Sequence, residues 1–113
     1  YYYTASGTVT HNYNNGNTIW VYKTGGGNFT LQMTNVPTDG PHGYGFTVVV
    51  QSQGGSGLPT SITINGQSTA IYWSGGNAPG MDGTYAVCSF SAAYITNSNN
   101  HAYTVFGSAV NYS

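Results

Sequence analysis

Apolar and polar positions alternate with a period of two along almost the whole chain, and no stretch shows a competing period near 3.6. Ile19 and Val21 oppose Trp20 and Tyr22; Phe29, Leu31 and Met33 oppose Thr30, Gln32 and Thr34; Phe46, Val48 and Val50 make the clearest apolar face. This pattern predicts strands at about 4–11, with Thr8 and Thr10 on one face, and at about 18–24, 29–36, 44–52, 61–64, 68–74, 84–96 and 101–111, all rich in β-branched and aromatic residues. Helix is nearly absent from the reading.

Turn signals separate the strands: Asn14-Asn15-Gly16, Gly25-Gly26-Gly27, Pro37-Thr38-Asp39-Gly40, Gly54-Gly55-Ser56-Gly57, Asn65-Gly66, Gly75-Gly76-Asn77 and Asn97-Ser98-Asn99-Asn100. Asn65 and Gly66 both tolerate positive φ. That pair suits the type I′ turn of a hairpin joining Ile62-Thr63-Ile64 to a strand ending in Ile71, Tyr72 and Trp73. Roughly eight short strands punctuated this way predict an all-β fold, an antiparallel β-sandwich or jelly roll, with a small closed barrel as the alternative.

The length fits one domain, residues 1–113, in which residues 1–7 with Tyr1-Tyr2-Tyr3 form an N-terminal extension or an intersubunit contact. No internal repeat is visible. If successive strands alternate in direction, the connections near 12–17, 37–43 and 97–100 share one end of the domain, and those near 24–28, 53–60 and 75–83 share the other.

Composition changes the picture most through charge. Only 3% of residues are charged (Lys23, Asp39 and Asp82), against roughly 25% in an ordinary domain. One fixed cation cannot neutralise a nucleic-acid backbone or hold a chain on an acidic membrane surface. No run of apolar residues is long enough for a membrane-spanning helix, so neither nucleic acid nor membrane insertion is expected. No signal peptide is evident, and a chain that opens on Tyr1 rather than Met reads as a processed product or an excerpt of a longer polypeptide. At 39% apolar and 15% aromatic residues the chain should nonetheless fold. A net charge of −1 leaves little repulsion between copies, which points to life inside an assembly or to an uncharged, hydroxyl-rich extracellular surface.

The same scarcity limits the chemistry. A glycosidase needs two carboxyl groups at a controlled separation, yet Asp39-Gly40 and Asp82-Gly83 both read as Asx turns. His11, His42 and His101 lack metal-ligand spacing. No nucleophile elbow follows a strand, and Gly54-Gly55-Ser56-Gly57 has neither the helix nor the Lys of a phosphate cradle. Cys88 alternates with Ala86 and Phe90, which predicts a buried, inert thiol. No enzyme activity and no cofactor are expected.

Eleven tyrosines and two tryptophans remain. Trp20, Trp73, Phe46 and Phe90 are assigned to the core. Tyr13, Tyr44, Tyr103 and Tyr112, at strand edges or flanked by polar residues, are the candidates for contact with a neutral sugar or a protein partner. Asn28-Phe29-Thr30 and Asn111-Tyr112-Ser113 fit the N-glycosylation sequon.

Five segments occur in one order: Phe29-Thr30-Leu31 with Thr34-Asn35-Val36-Pro37, Gly45-Phe46-Thr47-Val48-Val49-Val50-Gln51, Ile71-Tyr72-Trp73-Ser74-Gly75-Gly76-Asn77-Ala78-Pro79, Val87-Cys88-Ser89-Phe90 and Tyr103-Thr104-Val105-Phe106-Gly107. From about Asn15 onward this order resembles a small β-domain of virion structural and tail-fibre-like proteins of tailed bacteriophages, particularly those of cyanobacteria and marine bacteria. Ala86 departs from the acidic residue usual in those relatives, and fewer Lys or Arg surround the Trp73 strand. The resemblance implies an extracellular, virion-borne homo-oligomer in contact with other virion proteins, as fibre, appendage or capsid decoration. It carries over no catalytic group. Within the motif Trp73 and Phe90 are expected to pack between the sheets, Gly75 and Gly76 to make a turn with positive φ, and Pro79 to fix the loop. The alternative functions are a carbohydrate-binding module recognising host surface glycan and a filament-forming surface subunit.

Overall fold

In the computed structural model the described residues are 1–38, 43–96 and 101–113. Asp39, His42 and residues 97–100, where a turn is expected, lie outside them, as does the side chain of His101. Ten strands account for most of the chain: β1 (Tyr2–Ala5), β2 (Val9–Asn12), β3 (Thr18–Lys23), β4 (Phe29–Thr34), β5 (Gly43–Ser52), β6 (Pro59–Ile64), β7 (Gln67–Ser68), β8 (Ala70–Trp73), β9 (Tyr85–Thr96) and β10 (His101–Tyr112). A 3₁₀ turn, Tyr13–Asn15, opens on Asn12, whose side chain accepts from the Asn14 N–H at 2.9 Å. Two sheets pack face to face, with orders β1-β3-β5-β9-β10-β8 and β2-β4-β6-β7. The fold is the all-β sandwich that the alternation predicts.

Its strand directions correct one part of the expectation. Among the described residues five pairings are parallel (β1 with β3, β3 with β5, β2 with β4, β4 with β6, β8 with β10) and three antiparallel (β5 with β9, β9 with β10, β6 with β7). The winding is therefore not that of a jelly roll. Each early connection crosses to the opposite sheet, so β1–β2, β3–β4 and β5–β6 form three successive coils, and strands two apart in the chain become parallel neighbours. Close stacking of the connections makes this winding feasible. Gly25 lies against Ser6, Gly55 against the Gly25 carbonyl and Gly57 against the Gly27 carbonyl, each too close for a Cβ. Asn28 Oδ1 accepts from the Leu58 N–H at 3.0 Å and ties the second coil to the third.

These connections share one end of the molecule, and the 75–83 segment joins them: Gly83 abuts the Tyr112 carbonyl, and the Ser52 N–H donates to the Thr84 carbonyl. At the other end Tyr13 meets Tyr44. The expected grouping of loops therefore holds wherever residues are described, although the strands pair in a different order. Asn65 (φ 51) and Gly66 (φ 83) form the expected tight turn. The hairpin it closes pairs only Gln67 and Ser68 with β6; the chain then crosses over, and β8 adds to the edge of the larger sheet beside β10.

Alternate residues of every long strand point inward. Ile19, Val21, Leu31, Met33, Val48, Val50, Ile62, Ile64, Ala86, Cys88 and Val105 are all buried, as are Phe46 and Phe90. Burying each of the larger side chains contributes about 1.5–3 kcal/mol. Two polar residues share this interior. His11 is held between the Tyr3 hydroxyl and the Gly16 carbonyl, both at 2.8 Å. A carbonyl only accepts, so Nε2 carries the hydrogen and, in the neutral ring, Nδ1 accepts from Tyr3. Lys23 is fully buried, with no carboxylate partner among the described residues; its Nζ donates to the Ser6 and Gly25 carbonyls and sits 5.8 Å from the centre of the Phe29 ring.

Candidate functional site

The outer faces of the two sheets are built from different residues. On the four-stranded sheet the outward positions are Thr10, Asn12, Thr30, Gln32, Thr34, Ser61, Thr63 and Ser68, hydroxyls and amides that satisfy water and one another, as Thr10 does in donating to Gln32 Oε1 at 2.9 Å. The six-stranded sheet carries rings and aliphatics outward. Strand register places Tyr2, Trp20, Val49, Val87 and Val110 in one row across β1-β3-β5-β9-β10, and Thr4, Tyr22, Gln51, Tyr85 and Tyr112 in the next. A third row is Thr18, Thr47, Ser89 and Ser108; a fourth is Gly45, Ser91, Phe106 and Tyr72.

The first two rows form a packed aromatic floor. Tyr2 stacks on Tyr22 (6.1 Å, 18°), Trp20 tilts between them, and Tyr85 meets Trp20 edge-on (6.3 Å, 74°). The indole Nε1 of Trp20 donates to Gln51 Oε1 at 3.1 Å, which fixes the ring. These cross-strand pairs stabilise the sheet, yet Tyr2 remains 69% exposed, Val110 54% and Tyr112 51%. Rings and aliphatics thus lie side by side on an outer face that is in part open to solvent.

Farther along the same face lies a shallow groove of about 500 Å³. The Tyr72–Phe106 ring pair, stacked at 5.7 Å and 28°, borders it, and Ser89, Ser91 and Ser108 line it. Trp73, Phe90 and Gly107 lie beneath. Gly107 is required there because a Cβ would press on the Phe90 and Trp73 rings.

The expected site residues are scattered. Tyr13 and Tyr44 pack edge-to-face at one end of the sandwich (6.2 Å, 86°), half-buried against the core. Tyr112 belongs to the exposed aromatic face. Tyr103 does not: it is buried beside Tyr94, and its hydroxyl donates to the Pro37 carbonyl at 2.8 Å, because the inward phase of β10 includes position 103. Trp20 also departs from expectation, lying on the outer face in alternation with buried Ile19 and Val21. Trp73 is half-buried, edge-on to buried Phe90 at 5.6 Å. Gly75 (φ 82) and Gly76 (φ 87) follow it in a turn closed by Gly76 N–H donating to the Trp73 carbonyl, and Pro79 is half-buried in the loop beyond.

The reactive groups do not converge among the described residues, which contain no cluster of three or more His, Cys, Asp or Glu side chains. Asp82 is exposed, and its backbone N–H donates to Asn111 Oδ1. Burial pushes the Cys88 thiol up to about 12 and draws the Lys23 ammonium below its ordinary value. Both sequon amides are engaged, Asn28 with Leu58 and Asn111 with Gly80 and Asp82.

No protein-family model, curated protein or solved structure matches the chain. Tyr2 lies in the N-terminal segment expected as an extension or an intersubunit contact; the residues absent from the expected set are Trp20, Tyr22, Tyr85, Tyr72 and Phe106. Their signal lies in phase: each ring alternates with an inward residue of its own strand, such as Val21 between Trp20 and Tyr22, or Val105 and Gly107 around Phe106.

Proposed function

We propose that this chain is a non-enzymatic structural and adhesive module that associates with copies of itself through the aromatic face of its six-stranded sheet. The observation that carries the reading is the contrast between two outer faces of one sandwich. A face that met only water would be polar throughout, as the four-stranded sheet is. The aliphatic row Val49, Val87 and Val110 between the rings favours a dry protein neighbour. No ionised group stands in these rows, so covering them desolvates no charge.

The resemblance of the colinear motifs to bacteriophage domains is the support for placing such a module on a virion, as fibre, appendage or capsid decoration, among other virion proteins and outside the cell. Supporting a non-catalytic role, the Cys88 thiol is buried and protonated, both His11 nitrogens are engaged, and among the described residues Asp82 belongs to no cluster of three or more His, Cys, Asp or Glu side chains. Sedimentation velocity over a wide concentration range tests self-association. The expected result is oligomer whose formation survives high salt, because apolar contact is not screened. A monomer persisting into the millimolar range overturns the reading.

A further inference from the structure

We infer that the groove beside the Tyr72–Phe106 pair is a binding site for a neutral saccharide, separate from the surface through which copies associate. This goes beyond the self-association reading and does not depend on it. The two regions of the face differ in composition. Around Trp20 the rings are interleaved with valines; around Phe106 they are interleaved with serines and glycine. Valine suits a dry protein contact, whereas a sugar presents C–H groups on one side and hydroxyls around its rim, and asks for a ring face together with small hydrogen-bonding groups.

The groove provides both. Tyr72 is 59% exposed and Phe106 53%, with Gly45 and Ser91 completing their row, so no bulky neighbour blocks approach from the β5 side. Among the described residues the hydroxyls of Ser89, Ser91 and Ser108 take no internal partner, whereas Ser52 and Thr69 on other strands bond to backbone carbonyls. A saccharide hydroxyl both donates and accepts, which matches a serine hydroxyl that does the same. Among the described residues no acidic or basic side chain lines the groove, so none of them would recognise a sulfated, phosphorylated or uronic sugar.

Trp73 lies under the groove and provides the readout. In a Trp20→Phe background it is the chain's remaining tryptophan, and its fluorescence can be titrated with soluble oligomers of glucose, galactose, mannose and N-acetylglucosamine. Saturable binding of at least one neutral oligomer is expected. Phe106→Ala should weaken it about tenfold or more, the effect of removing one stacking ring, and Ser89→Ala with Ser108→Ala should weaken it further. Tyr22→Ala, in the other region, should leave it unchanged while reducing self-association. Phe106 is exposed, so its replacement should leave the thermal midpoint intact, and circular dichroism verifies this. The inference is overturned if no neutral oligomer binds at millimolar concentration, if Phe106→Ala binds as well as the parent, or if a uronic oligomer binds more tightly than the neutral ones.

Discussion

The Lys23 ammonium donates to the Ser6 carbonyl at 2.8 Å, so the chain's sole cation joins the second coil to the turn of the first. The second acceptor, Gly25, belongs to the connection stacked on that turn. Lys23→Met keeps the apolar stem and removes both hydrogen bonds. The loss of two carbonyl partners should outweigh the relief of a buried charge, and we expect about 1–3 kcal/mol of destabilisation at neutral pH by urea unfolding. Because burial lowers the Lys23 pKa, the unfolded chain binds more protons between that lowered value and 10.5. Lys23 therefore adds stability as pH rises through this window. The Met variant should lack that gain.

Cys88 acts in the opposite direction. Burial raises its thiol pKa from an ordinary value of 9.0 to about 12 in the folded chain. The stability it provides is complete below pH 9 and is withdrawn as pH rises toward 12, by on the order of 1.4 kcal/mol per unit. Cys88→Ala should unfold along a flatter curve in this range than the parent, whatever its stability at neutral pH. In the native parent at pH 8 a thiol reagent should react only as fast as the chain opens.

Much of this fold is legible from alternation alone, because a period of two assigns each residue to a face once a strand is recognised. The inward phases of β3, β4, β5 and β9 follow directly, including buried Cys88. Alternation does not name the partner strand, so parallel coils and antiparallel hairpins look identical along the chain. The coils escape notice as a repeat because they differ in length: Tyr3 pairs with Val21, 18 residues on, whereas Val21 pairs with Val50, 29 residues on. For the candidate site, size assigns Trp20 to the core, whereas the burial of Ile19 and Val21 turns Trp20 and Tyr22 outward together, and only register brings Tyr85 beside them. Tyr103 shows the converse: its place near the start of β10 suggests an exposed strand edge, yet it shares the inward phase of Val105.

The stacked connections predict a sharp contrast between neighbouring glycines. Gly57 has φ 153 and faces the Gly27 carbonyl at a distance no Cβ tolerates, while Gly26 has open space around it. Gly57→Ala should cost on the order of 2–4 kcal/mol through strain and displacement of the third coil. Gly26→Ala should fall within about 0.5 kcal/mol of the parent. Denaturant midpoints of the two variants measure the difference, and a similar loss in both would argue against the stacking of coils.

The contrast between the two outer faces can be separated from the effect of net charge. Val110→Lys and Ser61→Lys each add one positive charge to a chain of net charge −1, the first on the aromatic face and the second on the hydroxyl face. Both positions are solvent-exposed, so both variants should fold. Val110→Lys places an unpaired ammonium where a neighbouring copy would bury it, and the desolvation penalty should lower the association constant about tenfold or more. Ser61→Lys should associate as the parent does. Sedimentation equilibrium at matched ionic strength gives both constants. An equal loss in the two would show that charge in general governs association, and an unchanged constant for Val110→Lys would remove the valine row from the interface.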